Sequence, residues 1–300
     1  MTADFTFIVN PAAAKGHNGR LRRELQHELD RRQIRYELHE TAGPGDATRL
    51  AAMAQSPIVV AVGGDGTVQE VANGIAGSGR SLGVIPAGSG NDFVKSFENG
   101  RSLSDKIDIL SARKSVTIDL GIISTDLAPA NSRYFVNGAG MGFDAEVAVR
   151  TRSMRRLSGT ALYVAAVLRT LGTYRAPDFS LAVNGEVLNG RRLLVAVGNG
   201  ACAAGSFYLT PRALVDDGLL DVCAIREMGL GAILFRLMPK VLRGKHLGLE
   251  GVRYFQGREI EIRSEKTFSV HADGEIVGQG VRRVGIRLAA GALKVIAGAR

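Results

Sequence analysis

Residues 58–76 constrain the fold most. Ile58–Val62 is an unbroken, largely β-branched apolar run, the pattern of a strand buried on both faces of a parallel sheet. It passes through Gly63-Gly64-Asp65-Gly66-Thr67 straight into a helix-period segment, Thr67–Ala76, with Val68, Val71 and Ile75 on one face. A strand that enters a helix so abruptly needs a backbone that turns sharply, which glycine permits. The same order recurs on both sides. Phe5–Val9 reads as a strand, Asn10–Asn18 as a loop of small residues, and Leu21, Leu25 and Leu29 as the apolar stripe of a helix. Tyr36–His39 reads as a second strand, Ala47–Ala54 as a helix, and Leu82–Ile85 as another buried strand. This alternation argues for a three-layer α/β domain around a parallel sheet.

The pattern changes near Asp119–Ile123. Tyr134–Asn137, Phe179–Val183, Leu193–Val197, Leu220–Ile225, Glu259–Ile262, Phe268–Ala272 and Val284–Leu288 are short and strand-like, and imply a second, mainly antiparallel domain. Two helical stretches interrupt them, about Met154–Tyr174 and Leu230–Leu247. With 300 residues, 45% of them hydrophobic, the chain can build two ordinary cores. The division reads as 1–121 and 122–288, with about 289–300 returning to the first domain.

The net charge of +9 suits an anionic partner or serves solubility. The chain has no tryptophan and few aromatics, which gives stacking on single-stranded nucleic acid no support, so no nucleic-acid partner is expected. Cys202 and Cys223 are the only cysteines, too few for a disulfide framework, and read as core fillers in a reducing cytosol. His17, His39 and His246 have no metal-binding spacing, and His246 reads as a surface residue. No apolar run approaches the length of a spanning helix, and the start of the chain lacks the features of a signal peptide.

Two loops carry the chemistry. In Gly63–Thr67 the free backbone N–H groups at a helix start favour phosphate. Asp65 would repel phosphate unless a metal lies between them or it handles a proton. A plain strand–helix turn with a capping Asp has the same local pattern. Pro86-Ala87-Gly88-Ser89-Gly90-Asn91-Asp92-Phe93 repeats the logic: Ser89 can donate to phosphate, Asn91 can fix a loop or a nucleotide oxygen, and Asp92 can orient a metal-bound water or a hydroxyl. Both loops follow parallel strands, where open α/β sheets bind ligands. Asn10-Pro11-Ala12-Ala13-Ala14-Lys15-Gly16 and Thr41 are weaker candidates, and each alone reads better as surface loop. Neither glycine loop has the Walker A or Rossmann spacing.

The runs Phe7–Gly16, Gly63–Glu70, Leu82–Phe93, Phe135–Val147, Gly198–Asp221 and His271–Glu275, in this order along nearly the whole chain, resemble the diacylglycerol-kinase catalytic-domain family of bacterial lipid kinases. Sphingosine and ceramide kinases share that domain; NAD kinases and 6-phosphofructokinases are more distant. The resemblance implies an NAD-kinase/phosphofructokinase-like α/β domain followed by an antiparallel β-sandwich domain. It implies ATP held by Asn10, Pro11, Lys15, Gly16, Thr41, Gly64, Asp65, Gly66, Thr67, Val68, Gln69, Glu70, Ser89 and Asn91. Asp65 and Asp92 are expected at the phosphoryl-transfer centre. In Asp273-Gly274-Glu275 one carboxylate takes the proton from a lipid hydroxyl, Glu275 ahead of Asp273. Leu214-Val215-Asp216-Asp217-Gly218-Leu219 resembles the family's magnesium loop, with the Asp217 carboxylate and the Leu214 and Leu219 carbonyls as ligands; an ordinary Asp-Gly turn has the same pattern. Two departures bear on the substrate. Alanines and a serine stand in Ala203-Ala204-Gly205-Ser206-Phe207, where the family usually has glycines. His271-Ala272 stand where apolar residues are more usual.

The expected activity is transfer of the ATP γ-phosphate, with Mg²⁺, to a hydroxyl of a membrane lipid such as diacylglycerol, in the cleft between the domains. A kinase of a soluble hydroxyl compound and a silent nucleotide- or lipid-binding protein are the alternatives. Basic residues beside apolar stripes in 154–174 and 230–247 fit a peripheral contact with the inner face of the membrane, or helices packed on their own domain with a solvated basic face. An exposed strand edge is compatible with a homodimer.

Overall fold

A computed structural model describes residues 3–13, 18–97, 100–153, 159–203, 205 and 207–298, side chains at 18, 152, 153 and 159–164 excepted. The chain forms two compact units, Met1–Leu120 with Ala290–Arg300, and Gly121–Ala289.

In the first unit β1 (Phe5–Val9) pairs in parallel with β2 (Tyr36–Glu40) and β3 (Ile58–Gly63), and β3 with β4 (Ser81–Pro86). The last residues of the unit close this sheet, with Lys294 and Val295 parallel to Ser81 and Leu82. Every side chain of β1 and β3 is buried, so the sheet is covered on both faces. Phe5, Phe7, Val9, Val60 and Val62 point to one face, where Leu25 and Leu29 of α1 (Asn18–Arg31) and Ile107 and Leu110 of α4 (Leu103–Ala112) meet them. On the other face α2 (Asp46–Met53) and α3 (Asp65–Ile75) pack on each other and on the strands. A capping box at Ser102 and Asp105 fixes the start of α4.

The second unit is a β-sandwich. β9 (Glu186–Gly198) and β12 (Glu259–Ala272) are long enough to serve both layers. Their first halves pair with β8 (Asp178–Val183), their second halves with β7 (Gly138–Gly142). β10 (Leu220–Arg226) and β11 (Val252–Gly257) extend it beyond β9, and β13 (Glu275–Ile296) pairs with β12. β5 (Ser115–Thr125) and β6 (Ala128–Phe135) form a hairpin. Alternation sorts the side chains. Val195, Val197, Val222 and Ala224 enter the core between the layers. Leu194, Ala196, Cys223 and Ile225 face α5 (Phe143–Ser153), α6 (Gly159–Leu171) and a helical run over 230–241 (α7).

Three expectations are corrected. Tyr134–Asn137 is no single strand: β6 ends at Phe135, and the next backbone N–H groups go to Asp273 instead of a ladder. The helix expected over Met154–Tyr174 is preceded by α5, which starts at Phe143, and part of it lies outside the described residues. His246 is fully buried, its Nε2 3.5 Å from Cys223 Sγ, and desolvation lowers its pKa. Both cysteines are buried, and burial pushes the Cys223 thiol up to about 12.

Candidate functional site

At the carboxyl end of the parallel sheet the two glycine loops touch. A Cβ on Gly88 would lie 2.6 Å from Gly64 Cα, so Gly88 tolerates no side chain, while one on Gly64 would press on Gly88 Cα at 3.2 Å. The Ala87 N–H donates to Gly63 O at 2.8 Å and ties the two strand ends together. Asn91 closes the second loop on itself: its Oδ1 accepts the Gly88 N–H at 3.0 Å and its Nδ2 donates to Gly88 O at 2.8 Å. Asn91 therefore shapes the loop, and Ser89 is left exposed at its tip.

Asp65 opens α3, a position at which the helix dipole favours a carboxylate. Its Oδ1 accepts the Phe93 N–H at 3.2 Å. Burial, and next the neighbouring Asp92 carboxylate, push the Asp65 carboxyl above its ordinary value, against opposing hydrogen bonds from the backbone of 91–93. Asp92 is itself buried and ion-paired to Lys95 Nζ at 2.7 Å. Two carboxylates and a cradle of backbone N–H groups thus meet in one place.

The other expected nucleotide residues divide by where their polar atoms go. Asn10 Nδ2 donates to Thr67 Oγ1 at 3.1 Å, which fastens the loop after β1 to the start of α3. The Thr41 N–H donates to Val9 O, which brings the end of β2 alongside. Pro11 is exposed and Gly66 half-buried. Val68 and Gln69 are buried in the packing of α3. Glu70 is turned to the start of α2, accepting the Gly45 and Ala47 N–H groups at 2.8 and 3.0 Å. Lys15 and Gly16 lie outside the described residues.

In the sandwich unit, β12 and β13 are joined by a two-residue turn in which Asp273 and Gly274 have φ of 49° and 81°, the left-handed pair that Asp-Gly suits. The Asp273 carboxylate accepts three backbone N–H groups, from Val136 at 2.8 Å and from Asn137 and Gly138 at 2.9 Å. Asp273 is thus engaged as a clamp, while Glu275 stands exposed one residue beyond the turn. Three further polar groups, none with a role assigned from sequence, support this clamp. Asn199 Nδ2 donates to Val136 O, and Asn137 Nδ2 to Cys202 O. His271 Nδ1 accepts the Gly274 N–H at 3.3 Å while its Nε2 lies 3.4 Å from Asp144 Oδ2. The runs Phe135–Val147 and Gly198–Asp221 hold most of these residues, but no motif spacing joins them to position 273.

In the loop before β10, Asp217 Oδ1 accepts the Leu219 N–H at 3.1 Å, and Arg258 holds Gly218 O. Leu214 is exposed. At the start of β10, Asp221 is 0% exposed and neither of its oxygens makes a close hydrogen bond. Burial raises its pKa, with Tyr254 and Gln256 opposing and Asp217 adding repulsion. Among the described residues no three His, Cys, Asp or Glu side chains form a metal cluster. A site that draws on the Leu214 and Leu219 carbonyls needs none, and the buried Asp221 carboxylate beside Asp217 is an oxygen donor of the kind a hard cation takes. Magnesium is therefore expected to raise the melting temperature of the wild-type protein and to leave that of Asp217→Ala unchanged. The Asp221 carboxyl is raised on folding, so its stabilisation is present when protonated and lost as pH rises. Asp221→Asn should accordingly melt higher than wild type at neutral pH without magnesium. Melting curves across a magnesium titration check both; equal responses in all three proteins count against the site.

Residues 4–123 match the family model for the diacylglycerol kinase catalytic domain, and residues 137–297 match that for the YegS C-terminal NAD kinase beta sandwich-like domain. A diacylglycerol kinase of Staphylococcus saprophyticus is 32% identical over 91% of this chain and 88% of its own length. One of Staphylococcus carnosus is 31% identical over the same shares. In fold, the chain is similar to a Bacillus anthracis (strain Sterne) crystal structure described as a candidate diacylglycerol kinase, with a TM-score of 0.77, 22% identity and 99% coverage of each chain. The ordered glycine loops, the Asp-Gly-Glu turn and the matches across both units agree: the chain belongs to the diacylglycerol-kinase catalytic-domain family of kinases.

Proposed function

We propose that this protein transfers the γ-phosphate of ATP to a hydroxyl of a membrane lipid such as diacylglycerol. The observation that carries the reading is the contact of the Gly64 and Gly88 loops around Asp65, whose carboxyl is raised by burial and by Asp92. Backbone N–H groups of Gly64–Thr67 and the Ser89 hydroxyl hold the phosphates. Asn10 and Asn91 keep those loops in shape. Asp65 and Asp92 are the carboxylates suited to hold Mg²⁺, which when bound screens phosphate charge. Glu275 accepts the proton of the lipid hydroxyl, and Asp273 and His271 hold the turn that presents it. The curated relatives are named diacylglycerol kinases, which favours a lipid over NAD or a sugar as acceptor.

The test is to incubate the pure protein with γ-labelled ATP, magnesium, and separately diacylglycerol, a sphingoid base, phosphatidylglycerol, NAD and a sugar. Label is expected in the lipid fraction, with diacylglycerol as acceptor. Label only in NAD or the sugar removes the lipid assignment, and ATP binding without transfer to any acceptor indicates a binding protein.

A further inference from the structure

α7 has two unlike faces. It runs as an α-turn at Leu230–Ala232, a π-turn at Ile233–Leu237 and an α-turn at Met238–Val241. Ile233, Leu237 and Val241, four residues apart, are buried against the outer side of β9 and β10. That packing anchors the run to the sandwich. Yet the residues that this segment leaves exposed are not all polar, as they normally are on such a helix. Phe235 is 82% exposed, Leu230 53% and Leu242 44%. Arg236, Lys240, Arg243 and Lys245 are exposed among them, and no Asp or Glu occurs anywhere in 228–249. The chain beside it continues the pattern: the Tyr208 N–H donates to Val241 O, and Tyr208 is itself part-exposed.

We infer that the exposed side of the segment 230–245 is a docking surface for an anionic lipid bilayer, with Phe235 of α7 and Leu242 just after it entering the headgroup–acyl boundary and Arg236, Lys240, Arg243 and Lys245 meeting lipid phosphates. Apolar side chains interleaved with cations, and no carboxylates among them, match a charged interface with a thin apolar depth beneath it. A protein partner fits less well, because lysine is depleted at the cores of protein interfaces. A second copy fits less well still: a two-fold contact would set this all-cationic patch against itself. The inference deepens the lipid-kinase reading by naming the surface on which the enzyme meets its substrate's membrane, and it rests on that reading for its purpose only.

The test separates the two. Binding of the full chain to vesicles is measured by sedimentation without ATP, using phosphatidylglycerol-containing and pure phosphatidylcholine vesicles. Transfer of phosphate is measured in parallel to a short-chain diacylglycerol kept monomeric in water. Wild type should bind the anionic vesicles and hardly the neutral ones. Lys240→Ala with Arg243→Ala should weaken that binding roughly 25-fold, and Phe235→Ala roughly tenfold. Both variants should keep wild-type transfer to the monomeric acceptor. Wild-type binding retained in both variants overturns the inference, as does equal affinity for the neutral vesicles. A wild-type dimer that both variants break, with no vesicle binding, overturns it in favour of self-association. A wild type that binds anionic vesicles but transfers no phosphate leaves the docking surface standing and removes the lipid-kinase reading.

Discussion

Asp65→Asn is expected to lower kcat at least ~10²-fold while the protein becomes more stable at neutral pH. The two effects have one cause. Asp65 is held partly buried beside Asp92, and its carboxyl is pushed above the value of 3.8 that a free aspartate has. A carboxyl raised on folding gives its full stabilisation while protonated, below that value, and loses it as pH climbs through the folded value. The variant's melting temperature should therefore exceed the wild type's by a margin that widens from pH 4 to pH 7. Under the proposed function the repulsion has a use, because two carboxylates beside a phosphate cradle are suited to hold Mg²⁺. Melting curves across that pH range and steady-state rates at neutral pH check the prediction. Undiminished turnover contradicts the role, and a margin that shrinks with pH contradicts the electrostatics.

Glu275→Gln should cost ~10²–10⁴ in kcat, the usual contribution of a general base, with an unchanged melting temperature because the side chain is exposed. Asp273→Ala is expected to behave differently. It releases the N–H groups of Val136, Asn137 and Gly138 at once, so it should cost about 2 kcal/mol of stability as well as turnover. The two residues, a single motif by sequence, are thus separated by which property fails. A Glu275→Gln enzyme at near wild-type rate refutes the assignment of the base.

What the sequence made legible follows from which interactions are local. β3 and the centre of β4 were readable because strands buried on both faces show as unbroken apolar runs, and β1 because only Thr6 interrupts its run. The glycine loops were readable because the turn, the acid and the helix start are contiguous. Residue types in these loops were suited to ligands, but whether they face one depends on distant partners. Glu70 spends its carboxylate on the backbone at 45 and 47, and Asn91 on Gly88. The break in the expected strand at 134–137 depends on Asp273, far along the chain. β7 was hidden because Gly138-Ala-Gly-Met-Gly lacks the β-branched signature of a strand, and α5 follows it with no turn to mark the start. His246 looked exposed among cations until β10 brought Cys223 over it.

The proposed function requires the loops joining β3 to α3 and following β4 to hold a nucleoside triphosphate. A crystal structure of the protein with a non-hydrolysable ATP analogue and magnesium tests it most directly. The β- and γ-phosphates are expected against the backbone N–H groups of Gly64–Thr67 and the Ser89 hydroxyl, with magnesium between them and Asp65. Nucleotide seated elsewhere, with these loops empty at saturating analogue, contradicts it.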